Sequence, residues 1–261
     1  MLSLWEYRSL IKKFAITDLK LRYKNSILGL FWSLLQPLLM FAVLFIVFNN
    51  FFNNGSIKDY PLYLLLGIIC WGFLEKATTL SMGSILGRAS LVKKVYFPRE
   101  VLVLSACVTA MMMTMIEMVV FAVLMLLYGL IYGIAPGVTV LVAPLILIIE
   151  FFMVLGVSMA IAALNVPYRD IQYIWGVIMQ AGFFLTPILY DAKLIFGTGG
   201  LLMLLKYNPM GVIMDSLRSV IIYGSMPVID DVLYVILLSL ILLAAGWFIF
   251  SRIEPVFAEE I

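Results

Sequence analysis

The 261-residue sequence has no histidine, only two cysteines and few charged residues. The absence of histidine removes the commonest metal ligand and the commonest general base. Cys70 and Cys107 both lie within apolar runs, so we interpret them as small core residues rather than a disulfide. No GxxxxGK(S/T) sequence is present, so the loop that cradles nucleotide phosphates is missing. We therefore predict no catalytic residue, no metal site and no cofactor in this chain.

The composition predicts an all-α polytopic membrane protein. Charged residues make up 12% of the chain and hydrophobic residues 64%, and the mean hydropathy is +1.13. A soluble domain is about a quarter charged and half apolar. The N-terminus lacks a signal-peptide pattern, because the first apolar run is too long for one. Six runs approach the ~20 apolar residues that cross a bilayer; they are residues 28–52, 60–82, 101–128, 139–166, 171–190 and 232–250.

The distribution of Lys and Arg predicts the orientation. With six spans, residues 1–27, the loop 83–100, the turn near 167–170 and the tail 251–261 lie on one side and carry twelve of the seventeen basic residues. Four basic residues lie on the other side, and Lys76 lies within span two. Because basic loops stay in the cytosol, we expect a multi-pass protein of the cytoplasmic membrane with both termini cytosolic.

Two basic segments have amphipathic patterns. In residues 1–27, helical spacing puts apolar residues on one side: Tyr7, Leu10, Ile11, Phe14 and Leu21. We predict an interfacial helix on anionic headgroups, with a plain basic tail as the alternative. Residues 83–100, which we call the basic loop, contain Arg88, Lys93, Lys94, Arg99 and one acid, Glu100. The interleaved apolar residues and Pro98 predict a short amphipathic helix that receives force from a partner; alternatively, the loop only fixes topology.

Charged and aromatic residues within the predicted spans are candidates for a substrate path. Glu75-Lys76, Glu117 and Glu150 are costly in a bilayer, so they face a cavity or a partner unless they lie near an interface or pair within the bundle. Sugar rings could slide along the flat faces of aromatic side chains near the ends of the spans. Alternatively, these side chains form an aromatic belt at the level of the lipid headgroups. The path candidates are Trp32, Gln36, Trp71, Phe73, Glu75, Trp175, Phe183, Phe184 and Tyr190.

Residues 191–231 do not read as a span. After a short apolar run at 201–205, Asn208 suits a helix cap, Pro209 the first helical position and Gly224 the stop. The helix between them, near 209–222, is too short to cross a bilayer. We predict a pair of short re-entrant or surface helices between spans five and six, with two helices lying on the outer leaflet as the alternative.

Seven sequence pieces in order resemble the permease subunits of type-2 ABC transporters that export O-antigen, capsular polysaccharide or teichoic acid. They are DLKLRYKNSILGLFWSLLQPL (18–38), YPLYLLLGIICWGF (60–73), LVKKVYFPRE (91–100), LNVPYRDIQYI (164–174), FFLTPILY (183–190), YNPM (207–210) and RIEPVFAEEI (252–261). Together they are distributed over nearly the whole chain, while the Glu75-Lys76 pair has no counterpart that we can assign.

The resemblance implies a half-transporter rather than an enzyme. Such a subunit pairs with a second copy of itself and with two copies of an ABC ATPase, which bind ATP and Mg, and it moves a lipid-linked glycan through membrane lipid; no nucleic acid is involved. The residues implied to contact the ATPase are Arg88, Leu91, Lys93, Lys94, Val95, Arg99, Glu100, Arg169 and Asp170. Those implied to form an outer gate in residues 191–231 are Asn208, Pro209, Asp215 and Arg218.

Three other functions remain as alternatives. A type-2 permease could export a drug or another lipid. A membrane-bound transferase needs clustered acids or histidines, whereas the carboxylates here are dispersed. A secondary transporter is expected to show internal repeats, and none is visible between the two halves.

Overall fold

The computed structural model describes residues 6–22, 24, 29, 31–51, 57–95, 97–133, 137–191 and 207–257. Within these ranges the regular structure is helical. The α-helices are α1 (Arg8–Arg22), α2 (Phe31–Phe51), α3 (Tyr60–Leu86), α4 (Ala89–Lys94), α5 (Glu100–Tyr132), α6 (Ala143–Asn165), α7 (Ile171–Leu185), α8 (Pro209–Ile221) and α9 (Ile229–Ile253). Short 3-10 helices at Val138–Val142 and Glu254–Val256 precede α6 and follow α9.

Five helical segments of the described chain are long and apolar enough to cross a membrane. They are Phe31–Asn49, Tyr60–Leu86, Glu100–Tyr132, Val138–Asn165 and Ile229–Val256, and each overlaps one of the predicted spans. The predicted fifth span corresponds to α7, which has only 15 residues. At 1.5 Å per residue it is about 22 Å long, shorter than a hydrocarbon core of about 30 Å. The predicted count of six is therefore not confirmed.

The early end of α7 has a local cause. Thr186 adopts an extended backbone with ψ of 141°. A residue that precedes proline is disfavoured in the helical region, and Pro187 follows Thr186. Beyond this point the chain turns inward, and Ile188 and Leu189 are fully buried. Residues 186–190 therefore form a buried turn rather than the last turn of a span.

Helix α3 is the centre of the bundle. Apolar residues occur on every side of this helix, as expected of a helix with neighbours on several sides, and it packs against α2, α5, α6, α7 and α8. It is the most buried of the five long apolar segments, whereas α2 is the least buried. The long helices α5 and α6 enclose α3, and α2 lies at the edge of the bundle.

Helices α6 and α9 make the closest helix contact, through two glycines. A Cβ atom added to Gly156 would meet the backbone of Leu242 at 2.5 Å, and one added to Gly246 would clash with the carbonyl of Gly156. Small residues at such a crossing let two membrane helices approach backbone to backbone. The pair fixes α9 against the bundle.

Hydrogen bonds between segments define two ends of the bundle. At one end, which we call the basic end, the Asn165 side chain donates to the Met82 carbonyl at 3.1 Å, where α6 and α3 finish. At the other, the tyrosine end, the Tyr60 hydroxyl donates to the Leu189 carbonyl at 3.1 Å. The basic loop and the turn after α6 lie at the basic end, and α8 lies at the tyrosine end.

Candidate functional site

Helix α1 packs against the protein at the basic end. The Thr109 hydroxyl of α5 lies 3.4 Å from the Ala15 carbonyl, and Ala15 is buried. Of the residues predicted for the apolar side, four pack against the core: Tyr7, Leu10, Ile11 and Phe14. The fifth, Leu21, is exposed. The apolar side of α1 thus has the bundle itself as its partner along most of its length.

The basic loop folds into the short helix that its sequence predicts, and its start is anchored to α1. The helix α4 begins after Arg88 and ends at Lys94, four residues before Pro98. The Arg88 guanidinium pairs with the Asp18 carboxylate of α1 and lies 4.8 Å above the Phe14 ring. Arg88 is therefore engaged inside the chain, by an ion pair and a cation–π contact.

The end of the basic loop is anchored by a second arginine. Arg99 Nη1 donates to the carbonyl of Glu254, which follows α9, at 2.5 Å. The same guanidinium lies 5.7 Å from the ring centre of Phe257. Phe257 is fully buried and packs edge-on against Phe250, with ring centres 5.5 Å apart. Arg99, like Arg88, thus binds its own chain.

Several of the residues between the two arginines face outward. Lys93, Lys94 and Val95 are exposed, Leu91 is half-buried and Val92 is buried. The two lysines lie in the last turn of α4, where positive charge complements the helix dipole. The predicted contact residues therefore divide into an outward lysine surface and two inward arginines.

The other predicted contact residues lie nearby. Arg169 and Asp170 are exposed on the turn after α6, next to exposed Tyr168. Glu100, the first residue of α5, is half-buried, and its Oε2 atom accepts no hydrogen bond from the residues that the structure describes. The basic end thus leaves Lys93, Lys94 and this turn exposed.

The charges within the spans have three different environments. Lys76 Nζ on α3 lies 2.6 Å from both carboxylate oxygens of Glu117 on α5, so these residues pair within the bundle. The neighbouring Glu75 is exposed. Glu150 on α6 is fully buried, and neither of its carboxylate oxygens accepts a hydrogen bond within the described ranges.

Several aromatic path candidates hold α7 against α3. Trp71 lies against Gly182, where an added Cβ would approach the indole ring to 2.7 Å. The indole is also edge-on to Phe183, with ring centres 6.3 Å apart. Trp175 Nε1 donates to the Thr78 hydroxyl at 2.9 Å. These three aromatic residues pack helices together in a single copy of the chain.

The remaining path candidates divide between core and surface. Phe73 is fully buried and stacks on Phe151 of α6, with ring centres 6.4 Å apart. Trp32, Gln36 and Phe184 are exposed. Tyr190 is half-buried, and its hydroxyl donates to the carbonyl of Phe184 at 3.0 Å, which caps the end of α7.

The sequence analysis missed a polar stripe on α7. Gln172, Gly176 and Gln180 are exposed and recur every four residues, so they share one side of the helix. Ile174 and Ile178 are exposed on another side. The two glutamines are unusual among the exposed residues of an apolar helix, because lipid would offer them no hydrogen bonds. The four-residue spacing of Gln172, Gly176 and Gln180 was the available signal.

Arg218 of α8 organises the tyrosine end. Its side chain is 1% exposed. Its guanidinium donates to the Pro187 carbonyl and the Asp215 carboxylate at 3.0 Å, and to the Tyr63 carbonyl at 3.3 Å. It also stacks on the Tyr63 ring, 3.3 Å from the ring centre. Gly67 makes room for it, since an added Cβ would lie 2.9 Å from Nη2. The arginine thereby ties α8 to α3 and to the turn after α7.

Helix α8 begins as its sequence predicts. The Asn208 side chain accepts from the backbone N–H groups of Met210 and Gly211, and Pro209 is the first helical residue. The Asn208 amide also donates to the Thr186 hydroxyl at 3.0 Å, which joins the cap to the turn after α7. The apolar run at 201–205, predicted as a second short helix, lies outside the described residues.

Two tyrosines complete the tyrosine end. The Tyr63 hydroxyl lies 3.1 Å from the Tyr190 carbonyl and can donate to it. The Tyr223 hydroxyl donates to the Lys58 carbonyl at 3.3 Å. Burial raises the pKa of the Tyr223 phenol, and Arg218 opposes this rise. Among the described residues, no three Cys, Asp or Glu side chains gather where they could hold a metal ion.

The structure sorts the seven sequence pieces into two groups. At the basic end, the pieces containing Asp18, Arg99, Asn165 and Glu254 meet around the basic loop. At the tyrosine end, the pieces 60–73, 183–190 and 207–210 meet through tyrosine and asparagine hydrogen bonds. Segments far apart in the chain therefore build two compact sites.

Comparison with known proteins identifies the family. The family model described as "ABC-2 type transporter" matches residues 10–222. The O-antigen export system permease protein RfbA of Myxococcus xanthus is 30% identical over 258 residues, covering 99% of this chain and 97% of that protein. A protein of the same name from Klebsiella pneumoniae is 29% identical over 243 residues, covering 93% of this chain and 91% of its own length. The chain belongs to the ABC-2 type transporter family.

Proposed function

We propose that this chain is the permease subunit of an ABC transporter that exports a lipid-linked polysaccharide, driven by a separate ATPase. The family membership and two relatives named as O-antigen export system permeases support this proposal. The chain would act in transport rather than catalysis, in the cytoplasmic membrane, as two copies with two ATPase subunits. The basic end would face the cytosol, as the distribution of Lys and Arg favours.

The observation that carries ATP-driven coupling is the arrangement of the basic loop. Lys93 and Lys94 stand exposed on a short helix whose two flanking arginines are bound to the chain itself. A push on the exposed lysines would therefore act through Arg88 on α1 and through Arg99 on the start of α5. Acidic groups on the ATPase are suitable partners for such a positive surface.

The exposed polar side of α7 supports a glycan path. Gln172 and Gln180 carry amides that hydrogen-bond hydroxyl groups. Glu75 and Thr79 form a second exposed polar stripe on α3, one helical turn apart. Polar residues of spanning helices usually face a water-filled cavity or a protein partner rather than lipid. We assign these two stripes to the path between the two copies, with Trp32, Gln36 and Phe184 as exposed neighbours.

The short helix α8 would form the outer gate. Its inner anchor is the buried Arg218, whereas Asp215 is largely exposed, with 66% of its side chain accessible. Asn208 joins its start to the turn after α7. Because that turn ends α7, a shift of α7 would move α8 with it. The gate and the path would thus be mechanically linked.

Replacement of Lys93 and Lys94 by alanine tests the coupling. In the complex with its ATPase, we expect polysaccharide export per ATP hydrolysed to fall by about tenfold or more, as loss of two interface charge pairs implies. The level of the chain in the membrane should not change, because both side chains are exposed.

Lys58→Ala is the matched control, since Lys58 is an exposed lysine at the opposite end. It should leave the export ratio unchanged. An unchanged ratio in the Lys93→Ala/Lys94→Ala protein would remove the basic loop from the coupling route.

A further inference from the structure

The 3-10 turn that follows α9 closes on the basic loop. Residues 254–257, which we call the hook, continue from α9 as one 3-10 turn with Pro255 near its start. The Glu254 carbonyl accepts a hydrogen bond from Arg99, and the Phe257 ring lies beside the same guanidinium. The contact joins positions 155 residues apart in the chain.

The hook is anchored in the core by one side chain, that of Phe257. Phe257 and Phe250 are both fully buried and pack edge to face. The neighbouring Val256 remains 38% exposed, so the turn directs one side chain inward and the next outward. An arginine is fixed in position and in plane when an aromatic ring lies beside its guanidinium and a carbonyl oxygen accepts from one of its N–H groups.

Arg99 is the last residue before α5 and the last basic residue of the basic loop. Its counterpart at the loop's start, Arg88, is held by α1 in a similar way, by an acceptor and an aromatic ring. The loop is therefore fixed at both ends, by segments from before the first span and after the last. If the contacts of one arginine were lost, the basic loop could rotate about the other arginine.

We propose that the hook is a positioning element that sets the basic loop against α5 by holding Arg99. This inference rests on the proposed function, because the position of the loop matters for transport only if an ATPase pushes on it. In that role the hook keeps the loop stiff, so that motion of the loop reaches α5 instead of being absorbed by bending ahead of Arg99.

Phe257→Leu tests the hook, because leucine keeps an apolar side chain in the buried site and removes the aromatic face. In the purified full chain, we expect backbone amides of residues 88–99 to exchange with solvent about tenfold faster, since local opening becomes easier. Amides at the centres of α6 and α9 should exchange as before. Val256→Ala is the matched control and should leave exchange in the basic loop unchanged.

The same variants are compared in the complex with its ATPase. Phe257→Leu should retain the ATPase and its ATP hydrolysis, while the polysaccharide reaching the surface of the producing cell falls about tenfold. Phe257→Tyr, which keeps the ring face, should restore both the exchange rate and export. The double variant Arg99→Ala/Phe257→Leu should show the same exchange rate and the same export as Arg99→Ala alone, because both substitutions remove the same contact.

The outcomes separate the two proposals. Normal exchange of residues 88–99 in Phe257→Leu would overturn the positioning role, whatever the transport result. Faster exchange with normal export would also overturn it. If the unaltered chain binds no ATPase, the proposed function fails, and the exchange result then judges the hook as a structural anchor alone.

Discussion

Lys76 and Glu117 form an ion pair inside the membrane-spanning part of the chain. The adjacency of Lys76 to Glu75 in sequence suggested a Glu75-Lys76 unit, but neighbouring residues of a helix point about 100° apart. Lys76 points toward α5 and Glu75 points outward. The partner of Lys76 is 41 residues away, so residue patterns within α3 do not reveal it.

Removal of Lys76 should cost more stability than removal of both partners. Lys76→Met leaves Glu117, which is 4% exposed, without its counter-charge, and we expect the free energy of unfolding to fall by about 3 kcal/mol. Lys76→Met with Glu117→Met should recover most of that loss, because no buried charge is left alone. Unfolding of the purified chain in mixed micelles measures both. Equal losses in the single and double variants would contradict a simple pair, and Glu75→Gln serves as the exposed control.

Residue-level predictions succeeded where the physics is local. The Asn208 cap and Pro209 at the first helical position are confirmed, because a capping side chain bonds backbone groups two or three residues away. Arg218 was assigned to the same region, but its burial was not foreseen. Its acceptors come from α3 and from the turn after α7, which only the folded chain brings together.

At the scale of elements, amphipathic spacing and proline positions carried most of the information about where helices form and end. A short helix was predicted in the basic loop, and α4 (Ala89–Lys94) lies there. The early end of α7 could have been inferred from Thr186-Pro187, but the length of the apolar run outweighed that signal. The crossing of α6 and α9 at Gly156 and Gly246 could not be inferred, since it depends on two distant glycines meeting.

The two exposed sides of α7 should differ in their contact with water. With cysteine at Gln180, a water-soluble thiol reagent should react about tenfold faster than with cysteine at Ile178, because the reactive thiolate forms in water and not in lipid. Both positions are exposed in the single chain. Cys70 and Cys107 are buried and give little background. Equal rates at the two positions would remove the polar stripe from the proposed path.

At the scale of the whole molecule, each of the seven sequence pieces contributes residues to one of the two ends of the bundle. The distribution of Lys and Arg placed the N-terminal segment, the basic loop, the turn after α6 and the segment after α9 on one side. In the structure these four segments lie at one end. The pieces with tyrosine and asparagine meet at the other end. In the proposed function, motion at the first end would reach the second through α3 and α5.

Purification of the tagged chain from its own membranes tests this account most directly. The proposed function predicts that an ATPase with a phosphate-binding loop accompanies the chain in equal amount, in an assembly of two copies of each. Mass spectrometry identifies the partner, and the mass of the intact complex gives the stoichiometry. Recovery of the chain without any ATPase, under conditions that keep it folded, would contradict ATP-driven transport through the basic loop.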